Sequence, residues 1–141
     1  MREIIYQSIA DPFLTGEDVF RLVYRSRMAN GDAGLSGFLI FSHGRFLQLL
    51  EGESDRLDRA FSAIRQDPRH GSVEVLSDRA IASPLFDKWS MRRIPAGDAE
   101  SARDHICTLL PGAMPASIDN ALVRFFDSIA GQRAGGLRRS A

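Results

Sequence analysis

Gly37-Phe38-Leu39-Ile40-Phe41-Ser42-His43-Gly44-Arg45-Phe46-Leu47-Gln48-Leu49-Leu50-Glu51 is the stretch whose reading decides the fold. Two apolar runs, Gly37 to Ser42 and Arg45 to Glu51, flank His43-Gly44, a two-residue hairpin signal. Within the second run Gln48 interrupts an otherwise apolar sequence. A carboxamide there is costly unless something bonds it, because burying an unpaired amide loses its hydrogen bonds to water.

Outward from the hairpin, the remaining elements follow from periodicity. Ile4 to Ile9 reads as a strand, with Ile4, Tyr6 and Ser8 on one face and Ile5, Gln7 and Ile9 on the other. Asp11-Pro12 breaks it, and Thr15 caps a helix whose first turn carries Glu17 and Asp18. That helix is expected to stop at Asn30-Gly31, with Val19, Leu22, Val23, Ser26 and Asn30 along one face. Ser54 is expected to cap a second helix, carrying Leu57, Ala60, Phe61 and Ile64 as its buried stripe and ending at Pro68. Val73 to Leu76 and Trp89 to Ile94 supply two further strands, the last with Trp89, Met91 and Arg93 on one side.

The order strand, helix, strand, strand, helix, strand, strand predicts an α+β, ferredoxin-like βαββαββ domain with a five-stranded mixed sheet. Its two helices would cover one face. Ala99, Ala102, Ile106, Leu109 and Leu110 mark a third helix, and Ile118, Leu122, Phe125, Phe126 and Ile129 a fourth, closed by Gly131. These are expected on the other face, which would otherwise expose apolar residues. The organisation expected is residues 1–95 as the ligand-binding domain, 96–130 as a helical extension packed on the sheet, and the Gly- and Arg-rich 131–141 as a flexible tail.

Composition narrows the function classes. The 141 residues are 44% hydrophobic, enough for one core. Net charge is zero, so no long-range attraction to nucleic acid or to an anionic membrane is implied. Cys107 is the single cysteine, which rules out an intrachain disulfide and a cysteine-based zinc cluster; no metal site is expected. The N-terminus lacks the apolar core of a signal peptide, and no stretch is long enough to span a bilayer. A cytoplasmic, bacterial-type protein is the expectation.

In this layout Tyr6, Gln48, Ser26 and Asn30 converge on the slot between the first two helices and the sheet, with Asp67, Arg69 and His70 at its mouth. Aliphatic walls with amide and phenol groups at one edge suit a flat heteroaromatic ligand. Singly, each has a plain structural role: Tyr6 bonding a carbonyl, Asn30 ending a helix, Asp67 to His70 as solvated charges, and Trp89 and Met91 as core filling.

Together these residues resemble the BLUF domains, blue-light sensors that use a flavin. The matching pieces are Tyr6-Gln7-Ser8, Ser26-Arg27-Met28-Ala29-Asn30, Leu35-Ser36-Gly37, Gly44 to Gly52, Asp67-Pro68-Arg69-His70 and Trp89-Ser90-Met91, from Arg2 to about Ile94. The resemblance implies that Tyr6 is the electron and proton donor to the excited flavin and that Gln48 lies between Tyr6 and the flavin edge. Asn30, Ser26, Asp67, Arg69 and His70 would contact the cofactor, and Trp89 and Met91 would carry the signal. It implies FAD, with FMN or riboflavin as alternatives, and a red-shifted state that decays in the dark. A departure is Ala29, where many family members carry Asn or His; it bears on cofactor affinity more than on photochemistry.

The chain is then expected to be a receptor and not an enzyme, its output passing to a second copy or to a separate protein. The competing readings are a flavin-free ferredoxin-like interaction module and an acylphosphatase-like small enzyme, which would need an Arg-lined anion loop that this sequence does not present.

Overall fold

In the computed structural model, which describes residues 1–140 and side chains through Gln132, the hairpin is where the sequence places it. β2 (Ser36–Ser42) and β3 (Arg45–Gly52) pair antiparallel around His43 and Gly44. Both turn residues have positive φ, 51° and 75°, the backbone of a two-residue turn whose twist matches the strands. β1 (Arg2–Ala10) pairs antiparallel with β3 on one side and with β4 (His70–Ala80) on the other. β5 (Arg92–Arg93) pairs parallel with β2, giving the sheet order β4-β1-β3-β2-β5.

α1 (Gly16–Ala33) and α2 (Ser54–Gln66) pack on one face. Ile4, Val19, Leu22, Leu39, Leu50 and Leu57 form the core of that layer. α3 (Ala99–Leu109) and α4 (Ala116–Ser140) pack on the other, where Ile106, Leu122 and Phe125 meet Ile5, Phe38 and Leu49 of the sheet. The central strands are therefore buried on both faces, which explains why β2 and β3 read as continuous apolar runs instead of alternating. Polar clamps add to the α4 contact. The wholly buried Glu3 of β1 accepts from Arg79 (3.0 Å) and from Ser117 of α4 (3.0 Å). Glu74 of β4 accepts from Gln7 (3.0 Å) and from Arg124 of α4 (2.9 Å).

Several boundaries differ from expectation. α1 does not stop at Asn30-Gly31: it runs to Gly34, whose φ of 69° lets its N–H close on the Asn30 and Gly31 carbonyls. The Thr15 cap is present as a full capping box with Asp18. α2 is capped at Glu53 without a side-chain bond, and Ser54 instead accepts from Arg2 (3.1 Å). β4 is far longer than Val73 to Leu76, because β1 offers it partners from Arg2 to Ala10; it is an edge strand, so little of it is apolar. α4 continues through Gly131. The expected tail over 131–141 falls, beyond Gln132, outside the residues described with side chains.

The largest correction concerns the fifth strand. Only Arg92 and Arg93 pair with β2. Before them the carbonyls of Ser90 and Met91 are taken by α1 side chains, Asn30 (2.9 Å) and Arg27 (3.1 Å), in place of a strand ladder. The chain bends there, so Trp89 and Met91 do not share a side. Met91 is buried in the α1/α2 layer, while Trp89 packs against the α3/α4 layer.

Gly37 fits this edge for a steric reason: a Cβ there would meet the Leu49 carbonyl oxygen at 1.9 Å. Gly37→Ala is expected to cost at least about 3 kcal/mol in urea unfolding, whereas Gly31→Ala, in the last turn of α1 and 3.8 Å from its nearest neighbour, is expected to stabilise by about 0.5–1 kcal/mol.

Candidate functional site

Tyr6 and Gln48 are direct cross-strand partners in the β1–β3 ladder, so their side chains leave the sheet together on the α1/α2 side. Both are buried. The Tyr6 hydroxyl donates to Gln48 Oε1, and Gln48 Nε2 donates to Met91 Sδ at 3.7 Å. The costly carboxamide thus has a partner at each end. Phe61 of α2 and His70 of β4 flank the Tyr6 ring at centroid distances of 5.4 and 6.3 Å. Burial pushes the phenol far above its ordinary pKa, and the nearby Asp67 charge adds to this, so Tyr6 is a neutral O–H donor.

Above this row lies a cleft between α1, α2 and the sheet. One part is lined by Tyr6, Ser26, Gln48, Asp67, Arg69 and His70 among others. A part that shares Ser26, Gln48, Asp67 and Arg69 with it adds Arg25, Ala29, Asn30, Ala60 and Ala63. Every residue expected to contact a ligand therefore lines one or both parts. Asn30 sits at the far end, its Nδ2 committed to the Ser90 carbonyl. Asp67 and Arg69 are paired at 2.9 and 3.0 Å, and the Arg69 guanidinium holds the Asp67 carboxyl below its usual range. His70 Nδ1 is buried without a hydrogen-bond partner among the described residues. Burial lowers the His70 pKa, Asp67 opposes this and Arg69 reinforces it.

Sequence reasoning missed two things here. Arg27, quoted only as part of a run, anchors the Met91 carbonyl. The Ala60, Phe61 and Ile64 stripe of α2, read as core, is only half-buried; Ala60 and Ile64 border the cleft. The small residues Ala60 and Ala63 on α2 were the available signal that this helix leaves room for a cleft.

An α+β sheet with a half-open cleft of mixed polar and apolar lining, floored by a bonded Tyr–Gln pair, has the form of a small-molecule-binding domain. Comparison with known proteins gives the family. The BLUF family, sensors of blue-light using FAD, matches residues 1–92, and the chain belongs to it. The photoactivated adenylate cyclase subunit alpha of Euglena gracilis is 32% identical over 71 residues, half of this chain but 7% of that protein. The chain thus spans a small fraction of the curated relatives it matches. The solved structure of Klebsiella pneumoniae BlrP1 with FMN and cyclic diGMP, without metal ions, is 28% identical with a TM-score of 0.72, covering 96% of this chain and 35% of that one. BlrB, a BLUF protein in its dark state, shares the fold at 23% identity and a TM-score of 0.68, covering 92% and 96% of the two chains. Among the described residues no helix is long and apolar enough to cross a membrane, and no group of three or more His, Cys, Asp or Glu gathers as a metal site would.

The lowered His70 pKa has a consequence for pH. Its folded value lies below the ordinary 6.5, so stability from the neutral ring is present above 6.5 and is lost as pH falls from there through the lowered folded value. His70→Asn is expected to show a smaller drop in melting temperature than the natural protein between about pH 7 and pH 5.

Proposed function

We propose that this chain is a blue-light receptor holding a flavin non-covalently in the cleft between α1 and α2. The supporting observation is the Tyr6–Gln48–Met91 row on the cleft floor, a donor–amide–acceptor chain buried in an apolar layer. The residues fit such a group. Leu22, Leu39, Phe46 and Ile64 offer apolar walls for a flat ring, and His70 Nδ1 and the Ser26 hydroxyl are polar groups on the cleft wall. Arg25 on the outer wall is a cation suited to a phosphorylated tail. FAD is the first candidate from the family, and FMN is supported by the related structure that carries it.

A bound flavin, once excited by blue light, supplies a strong one-electron oxidant beside this row. Tyr6 is the donor: its phenol is neutral, and removing an electron makes the O–H strongly acidic. Its proton moves along the existing bond to Gln48 Oε1. Return of the electron and proton alone would restore the starting state; turning of the Gln48 carboxamide about its Cγ–Cδ bond before they return to Tyr6 would leave its donor and acceptor ends exchanged, with no atom gained or lost. An amide can do this because it carries both kinds of group; a leucine carries neither, and a glutamate at neutral pH only accepts.

The exchange is felt at Met91, the acceptor of the Gln48 N–H, and through the bend at Ser90 at Trp89 on the opposite layer. Residues 1–95 then act as the sensing unit, and 96–130 as the relay that reads the segment before β5. The chain's own chemistry is signalling, not turnover. The Euglena relative, by its name, couples light to a cyclase; here the output is a changed contact with a second copy or a separate protein, in the cytoplasm.

The visible spectrum before and after blue light tests the reading. The purified protein, supplied with flavin, should be yellow and should shift reversibly to the red; a chain that takes up no flavin refutes it. Tyr6→Phe and Gln48→Leu are each expected to keep the yellow colour and lose the shift, and an intact shift in either overturns the mechanism.

A further inference from the structure

Glu51 lies on β3 beyond Gln48, and its side chain is fully buried on the α3/α4 face of the sheet. A carboxyl inside an apolar layer is tolerated only when its oxygens are bonded. The Ser36 hydroxyl donates to Oε1 at 2.9 Å, the Phe86 N–H donates to Oε1, and the Leu85 N–H donates to Oε2 at 2.9 Å. Two of these three donors belong to the irregular segment between β4 and β5. Directly opposite on β1 sits Glu3, equally buried, whose own oxygens are met by Arg79 and Ser117. Burial and the Glu3 charge push the Glu51 carboxyl above its ordinary range, against the pull of its three donors.

The same segment is held again a few residues on. Gly37 N–H donates to the Trp89 carbonyl (3.2 Å), Asn30 to that of Ser90 and Arg27 to that of Met91. At its end Met91 Sδ receives the Gln48 N–H. The segment from Leu85 to Met91 is therefore tied to β3 at both ends, by Glu51 at the start and by Gln48 at the finish. Between these ties it has no strand pairing of its own. An apolar side chain at position 51 would leave the Leu85 and Phe86 N–H groups without their acceptor, so the carboxyl is what holds this segment to β3.

We propose that Glu51 is a positioning residue for the Gln48 photochemistry: by anchoring the Leu85 and Phe86 amides it sets where Met91 Sδ meets the Gln48 carboxamide. This rests on the light-receptor reading of the cleft. In the arrangement seen here, Nε2 faces the sulfur. With the carboxamide reversed, Oε1 faces it and two acceptors meet. A firmly held Met91 thus disfavours the reversed arrangement and drives the return in the dark. A loosened segment lets Met91 draw back, and the return slows.

The test measures dark recovery of the red-shifted state in the full chain loaded with flavin. Glu51→Gln keeps the volume but turns an NH2 toward N–H donors. It is expected to take up flavin and shift to the red as the natural protein does, and to recover at least about three-fold more slowly. Ser36→Ala, which removes one bond and leaves the carboxyl in place, is expected to slow recovery in the same direction by about 1.5-fold or more. Met91→Leu should also slow it, and adding Glu51→Gln to Met91→Leu should slow it no further, because both act through one contact. Recovery of Glu51→Gln within 1.5-fold of the natural rate, or additive slowing in the Met91→Leu background, overturns the inference. If Glu51→Gln does not fold, the Ser36→Ala and Met91→Leu pair carries the same cycle, and an unchanged Ser36→Ala rate overturns it. A natural protein with no light-induced shift would instead overturn the receptor reading itself.

Discussion

The β1–β3 register is the constraint on which the rest depends. It sets Tyr6 opposite Gln48, and with them Ile4 opposite Leu50 and Ile5 opposite Leu49. A slip of one residue would turn every side chain of one strand to the other face. Here both faces are buried, so such a slip would drive Glu3 and Gln7 into the α1/α2 layer and Tyr6 into the α3/α4 layer. The apolar pairs thus lock the polar pair, and the Tyr6 hydroxyl reaches Gln48 without any loop having to place it. Chemistry on a rigid two-strand platform is held more closely than chemistry on a loop.

Around that platform the two layers divide the work. The α1/α2 layer is left incomplete: Ala60 and Ala63 of α2 border the cleft, and the Ala60, Phe61 and Ile64 stripe stays half-buried. The α3/α4 layer is filled, and polar clamps at Glu3 and Glu74 fasten α4 to β1 and β4. The segment before β5 crosses from one layer to the other, with Met91 in the first and Trp89 against the second. In the proposed receptor a change of bonding at Gln48 would have a route through the sheet edge. The carbonyls of that segment are held by Gly37 of β2 and by Asn30 and Arg27 of α1, and its first amides by Glu51.

Much of this was legible along the chain. The hairpin, the Thr15 cap, both helical faces and the sheet plan follow from local pattern, because a two-residue turn, a capping box and a 3.6 period are written within a few residues. The convergence of Tyr6, Gln48, Ser26, Asn30, Asp67, Arg69 and His70 on one cleft also follows, since strand alternation and helix phase fix side-chain direction once the layers are assigned. Boundaries were less legible. Asn30-Gly31 looks like a helix end, yet α1 runs on to Gly34, the glycine that takes the left-handed backbone and closes on the Asn30 and Gly31 carbonyls. β4 was foreshortened because its length comes from pairing with β1, not from its own apolarity.

By itself the sequence determined the elements, the faces and the family, since these rest on local propensity and on a run of side chains that few other folds would carry together. Only the tertiary structure decided what Gln48 is bonded to, that Trp89 and Met91 part to opposite layers, and that Glu51 reaches Leu85 and Phe86. Each of these depends on contacts between residues distant in the chain, the first and last of them on directional hydrogen bonds. Hydrogen bonds of that kind depend on distance and angle within a few tenths of an ångström, and no periodicity records them.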